Sequence, residues 1–169
     1  MWEMDYDSAA SYWELKDKAS VKMDATDLKE KIENFIRANK TCALATASSD
    51  MVRCTPIEYN YFKECFYLFS EGGLKFKGLK ENKNVGLAIY ETYAGFGKLK
   101  GLQVIGKASI VEPFSEEYIN VMEFRKIPVE AMKKLPQPMN LIKVRPVSYD
   151  YLDSSLKDEG FASRQHVLL

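Results

Sequence analysis

The feature that most constrains this chain is a set of strand-like runs joined by almost nothing. "TCALATA" (41–47), "MVRCTPIEYNYF" (51–62) and "CFYLFS" (65–70) are rich in apolar, β-branched and aromatic residues. Only "SSD" and "KE" separate the bulk of these runs. Connections this short make antiparallel hairpins, because a parallel crossover needs about a dozen residues or more. Pro56 sits inside the second run and has no N–H to give to a ladder. It predicts an edge position, a bulge, or a backbone turned toward a ligand.

The flanking segments change period. Residues 8–19 and 25–39 predict helices, with Asp24 as the cap of the second. Leu28, Ile32, Phe35 and Ile36 fall on one face of that helix. After the hairpins comes a short helix over 73–82, with Leu74, Phe76 and Leu79 expected inward. "VGLAIY" (85–90) is a strand, "ETYAGFGK" a Gly- and aromatic-rich loop, and 99–112 a long strand. Gly101 and Gly106 suit the bends of a small barrel. Residues 115–134 read as helical, broken near Pro128, and 140–152 as a last strand. The tail, 153–169, is expected to be loose or docked on a partner. Helices that stand apart from the strands argue for one α+β domain over 1–169, an antiparallel barrel with flanking helices (1–39 at the N-terminus). They argue against a doubly wound sheet.

Composition removes several function classes. Lys plus Arg and Asp plus Glu number 24 each, so no net charge draws the chain to nucleic acid or anionic membrane. Any anion site must be local. The cysteines, Cys42, Cys54 and Cys65, are odd in number and read as small hydrophobes, which points to a reducing cytoplasm. No signal peptide and no membrane span are read in the sequence. A single histidine, His166, leaves too few ligands for a His-based zinc site and a poor start for a serine triad. A catalyst built this way draws its chemistry from a bound cofactor.

Two glycine patterns fail as nucleotide motifs. "GLKFKGLK" lacks the Lys–Ser/Thr that closes a P-loop, and "GFGKLKG" carries Lys100 where the dinucleotide fingerprint needs glycine. A dispersed set is more informative. Arg53 and Thr55 share one face of a strand. Phe69 and Ser70 end another, and Gly72, Gly73 and Lys75 open a helix. Free amides at a helix start, a hydroxyl and two cations fit a phosphate. The same residues also read as a surface Arg, an N-cap Ser and a solvated Lys.

The span "CALATASSDMVRCTPIEYNYFKECFYLFSEGGLKFKGLKENKNVGLAIY", followed by "LQVIGKASIVE", resembles the pyridoxamine 5′-phosphate oxidase-related FMN-binding split-barrel superfamily. The shared frame is a first strand with "LAT", then Arg-x-x-Pro, an aromatic-Ser strand end, a Lys before a helix, "ENKNV", and a Gly-x-Ala strand. The resemblance implies an FMN-binding homodimer with each flavin at the subunit interface. It gives the FMN phosphate to Arg53, Ser70 and Lys75, and an aromatic position to Phe69. Cys54, Thr55, Pro56 and Ile57 match the strand whose backbone lies against the isoalloxazine. Gln103 stands two residues from the flavin-contacting Gln of the oxidase proper, on the same face.

The departures limit what carries over. The oxidase proper ends with an Arg-x-His segment and a Trp; here the tail is "SRQHVLL", without Trp. The likeness is instead to compact general-stress and nitroimidazole-resistance-type branches, although the only histidine is out of register with theirs. The expected activity is flavin-mediated electron or hydride transfer from a reduced nicotinamide to a small acceptor. The alternatives are a flavin store without turnover, a split barrel that binds deazaflavin or haem, and a ligand-free structural dimer.

Overall fold

The computed structural model describes residues 1–169. Helices α1 (Tyr6–Lys18) and α2 (Ala25–Ala38) come first. Asp24 caps α2, accepting from the amides of Thr26 and Asp27, and Leu28, Ile32, Phe35 and Ile36 are its buried face. Then follow β1 (Thr41–Ala47), β2 (Val52–Glu58), β3 (Asn60–Phe62) and β4 (Cys65–Ser70). Helix α3 (Lys75–Glu81) leads to β5 (Asn84–Tyr90) and β6 (Lys100–Val111). Helices α4 (Glu116–Arg125) and α5 (Val129–Lys133) precede β7 (Asn140–Asp153) and β8 (Arg164–Leu168).

Every strand pairing is antiparallel, in the order β2-β1-β5-β6-β7-β4-β3, with β8 on β7. This is the antiparallel α+β barrel that the short connections and segregated helices predict, and the split barrel that the resemblance implies. Both hairpins form, β1 with β2 and β3 with β4. The inner face of the sheet closes on α2 in one apolar core. A second core lies where α4 and α5 pack Tyr118, Val121, Met122 and Met132 onto Tyr67, Val111 and Leu141. Strand β6 kinks between Ile105 and Gly106, where its register on β7 shifts. A Cβ on Gly106 would lie 2.5 Å from Val144 Cγ1, so only glycine lets the two strands approach there. No helix is long and apolar enough to cross a membrane.

Three expectations are corrected. The run 51–62 is two strands, not one. Tyr59 breaks it: the residue is buried, its amide donates to Lys40 O at 2.9 Å and its hydroxyl to Ile36 O at 2.7 Å. The chain therefore leaves β1 after β2 and starts β3 at the other end of the sheet order. The tail is not loose. After a 3-10 turn at Ser154–Lys157 it forms β8. Gln165, fully buried, accepts from Met23 N at 3.1 Å and donates to Val21 O at 3.2 Å and Ala162 O at 2.7 Å. One polar side chain thus ties the tail to the linker before α2. Finally, Leu74 is exposed. Helix α3 starts at Lys75, two residues later than expected, so its inward face is Lys75, Gly78 and Leu79, with Phe76 partly buried against the core.

Candidate functional site

Residues opposite one another in an antiparallel pair share a face. Arg53 stands opposite Thr46, Thr55 opposite Leu44 and Ile57 opposite Cys42. Leu44, Thr46 and Cys42 are buried, so this is the inner face. Cys54 and Pro56 stand opposite Ala45 and Ala43 on the outer face. The predicted segment 53–57 therefore divides between the two sides of one strand. Strand β2 pairs only with β1 and is a sheet edge, which is one of the places Pro56 was expected.

Helix α3 sits against the inner side of β1. A Cβ on Gly78 would be 3.1 Å from Ala47 N and 3.2 Å from Thr46 Cβ, so the glycine sets how closely the helix seats. Lys75, one turn earlier on the same face, is 8% exposed. Its ammonium donates to Gly72 O. Burial, and then the Arg53 guanidinium, hold its pKa below the ordinary lysine value. Arg53, itself exposed, stands opposite Thr46, on which Gly78 of α3 packs, so it lies on the same side as Lys75 although β2 is not a hydrogen-bonded neighbour of β4. The curl of the barrel brings them together, in place of the direct strand pairing that the sequence suggested.

Neither cation has a carboxylate partner. Ser70, also buried, does not cap α3. Its Oγ accepts from Gly72 N and donates to Gly72 O, each at 3.2 Å, closing a tight turn. Gly73 follows with φ +105°, a conformation that favours glycine. Thr46 is 2% exposed and its Oγ1 has no hydrogen-bond partner. A buried polar atom without a partner costs about 1–3 kcal/mol. Two unneutralised cations beside an orphaned hydroxyl fit an anion that supplies charge and acceptor oxygens together.

Phe69 is not in this cradle. Its ring meets Tyr118 edge-on at 5.6 Å, in the second core. Gln103 is exposed on the outer face, and the register shows what it shares. Pro56 is opposite Ala43, Ala43 opposite Ala88, Ala88 opposite Gln103, Gln103 opposite Asp150, and Asp150 opposite His166. These residues form one row across the sheet. Ala43 and Ala88 keep its middle flat, as Ala45 and Gly86 do in the next row of the same face. At the Gln103 end lies a cleft of about 250 Å³, lined by Tyr90, Gln103, Asp150, Leu152 and Arg164 among others.

Sequence reasoning missed two members. Thr46 carried a signal: it is the polar residue at an inward position of "LATA", two residues from Leu44. The Asp150–His166 pair, Nδ1 to Oδ1 3.0 Å, carried none, because it needs the register of β8 on β7.

A model of the pyridoxamine 5′-phosphate oxidase family matches residues 28–153, most of the chain. The chain belongs to that family. No curated protein sequence matches it. Solved structures share the fold at low identity. A FAD-binding protein from Mesorhizobium loti is similar at 17% identity and TM-score 0.59, over 72% of this chain and 89% of that one. General stress protein 26 from Bacillus anthracis is similar at 21% identity and TM-score 0.58, over 84% and 98%. HutZ, a haem storage protein from Vibrio cholerae, is similar at 22% identity and TM-score 0.58, over 70% and 89%. Proteins that share this fold therefore include both a FAD-binding protein and a haem storage protein.

Proposed function

We propose that this chain is an FMN-binding flavoprotein, a homodimer with each flavin at the subunit interface. It passes electrons or hydride from a reduced nicotinamide to a small acceptor. The observation that carries the reading is the unpaired Arg53–Lys75 cation pair beside the orphaned Thr46 hydroxyl. These cations stand at the positions that the family resemblance gives to a flavin phosphate.

Bound FMN supplies the redox chemistry. The chain supplies the holding groups. Lys75 and Arg53 would neutralise the phosphate, and the free Thr46 hydroxyl would donate to its oxygens, with Ser70 joining only by releasing Gly72 O. Charge-assisted hydrogen bonds of this type contribute about 1.5–3 kcal/mol each. The free edge of β2 offers backbone groups of 54–57 to the ring, and Pro56 forgoes a donor that the ring does not need. Gln103 reaches from the outer row. The flat shelf of Ala43, Ala45, Gly86 and Ala88 gives a second copy an apolar face that excludes water. No strong acid or base is required of the protein, in keeping with its single histidine.

Purified protein is expected to be yellow, with a flavin spectrum and FMN released on denaturation. Arg53→Ala and Lys75→Ala should each weaken FMN binding by tenfold or more while the fold persists. A colourless protein that ignores added FMN overturns the reading. A second reading, haem binding, is favoured by one observation: His166 is exposed on the Gln103 row. A Soret band in place of flavin absorption would select it, and a deazaflavin would show its own spectrum. Anaerobic titration with NADH and NADPH separates a reductase from a flavin store, which neither nucleotide bleaches.

A further inference from the structure

Helix α1 has thirteen residues and buries none of them. The linker after it is firmly held through Gln165, and Ala162 N donates to Val21 O at 3.0 Å. The helix itself touches the body chiefly along β8, where the Arg164 guanidinium lies 4.5 Å from the centre of the Trp13 ring. A well-anchored linker thus carries an unburied aromatic helix.

Its exposed side chains continue onto the body. Tyr12 packs edge-on to Trp13 at 5.4 Å. Trp13, Phe96, Leu99 and Leu152 line one cleft of about 400 Å³. Phe96 meets Tyr93 at 6.2 Å. Tyr6 is seven residues before Trp13, on the same helix face, and Trp2 precedes it. Trp2, Tyr6, Tyr12, Trp13, Tyr93 and Phe96 are each between 46% and 84% exposed. At about 200 Å² per aromatic side chain, the four that adjoin one another, Tyr12, Trp13, Tyr93 and Phe96, leave roughly 500 Å² open to water. That is the size of the largest apolar patch on a typical monomer, about 300–600 Å², and such patches are often functional. Trp2 and Tyr6 bring the exposed aromatic area to the roughly 800 Å² that each partner gives to a standard protein interface.

Charge selects the occupant. Residues 1–18 carry Glu3, Asp5, Asp7, Glu14 and Asp17 against Lys16 and Lys18. An anionic bilayer repels such a segment. The same chain carries a complement: Lys77, Lys80 and Lys83 on and just after α3, exposed and without carboxylate partners. We propose that α1 and the 93–96 loop form an arm that docks on a second copy of this chain. The arm rests on the homodimer reading above only in requiring that two copies associate. It adds a specific element to the contact.

The test is hydrogen–deuterium exchange of the full chain across a dilution series, with mass measured by light scattering on the same samples. Amides of 6–18 are expected to gain protection in step with the dimer fraction. Tyr6→Ser plus Tyr12→Ser should raise the dimer Kd tenfold or more, with unchanged far-UV circular dichroism, since neither residue is in the core. A dimer that dissociates on dilution with α1 exchange unchanged, or that stays intact with α1 unprotected, overturns the arm and leaves the homodimer standing. A monomer at every concentration overturns both. Protection of α1 in the monomer by phosphatidylserine–phosphatidylcholine vesicles also overturns the arm.

Discussion

Gly78→Ala tests how the anion cradle is built. The new Cβ would lie 3.1 Å from Ala47 N, 3.2 Å from Thr46 Cβ and 3.3 Å from Ala47 C. Carbon atoms prefer about 3.5–4.0 Å, so α3 must lift from β1 by a few tenths of an ångström. Two of the three atoms are backbone of a paired strand and do not yield. Overpacking of this kind costs about 1–3 kcal/mol. Alanine in place of glycine in a helix returns up to about 1 kcal/mol. The net expectation is a loss of about 1 kcal/mol, or about 3 °C in Tm for a domain of this length. Lys75 rides on the same helix face, so the lift also moves its ammonium relative to Arg53. FMN affinity should fall about tenfold, equivalent to about 1.4 kcal/mol. Scanning calorimetry and FMN titration of the same preparation check both numbers. Lys77→Ala, on the solvent side of α3, should stay within about 0.5 kcal/mol of the parent in stability. A Gly78→Ala protein as stable as the parent with unchanged FMN affinity would refute the idea that this contact sets the cradle.

Further outcomes follow from single residues. The Lys75 pKa is lowered in the folded, ligand-free protein, so the folded state binds fewer protons than the unfolded one between the two values. Stability without ligand should therefore rise as pH climbs through the lowered value toward 10.5, and Lys75→Met should abolish that rise in a pH series of urea melts. Gln165→Leu strands the Met23 amide and the Ala162 carbonyl, while Val21 O keeps the Ala162 amide, and should cost about 2–3 kcal/mol in urea denaturation. Cys54 is exposed, whereas burial pushes the Cys42 thiol up to about 12. Iodoacetamide followed by peptide mass mapping should thus modify Cys54 well before Cys42, and bound FMN should slow the Cys54 reaction.

Much of the fold was legible because its information is local. Two- and three-residue connections fixed the hairpins, and the spacing of Leu28, Ile32, Phe35 and Ile36 fixed the face of α2. Arg53 and Lys75 could be picked out by their place beside strand ends. What stayed hidden depends on long-range geometry. Nothing between residues 51 and 62 announces that Tyr59 turns inward and sends β3 to the far end of the sheet. The strand character of "SRQHVLL" emerges only when β7 supplies the ladder and Gln165 finds Val21 and Met23. The cation pair needs the barrel to curl, and Thr46, visible in the sequence as a polar residue at an inward position, shows its orphaned hydroxyl only once α3 covers it.

Strand β7 also bears on how the protein is made. Strand β4 pairs on one side with β3 and on the other only with β7, at Leu141–Val144 opposite Phe66–Phe69. The β3–β4 hairpin has no hydrogen-bonded link to β1, β2, β5 or β6 until residues 140–153 arrive. During synthesis the two sheet fragments must wait, edges open, for one late segment. The sheet is then joined in a step governed by distant contacts, which is intrinsically slow. A nascent chain paused before residue 140 is the species most in need of a chaperone.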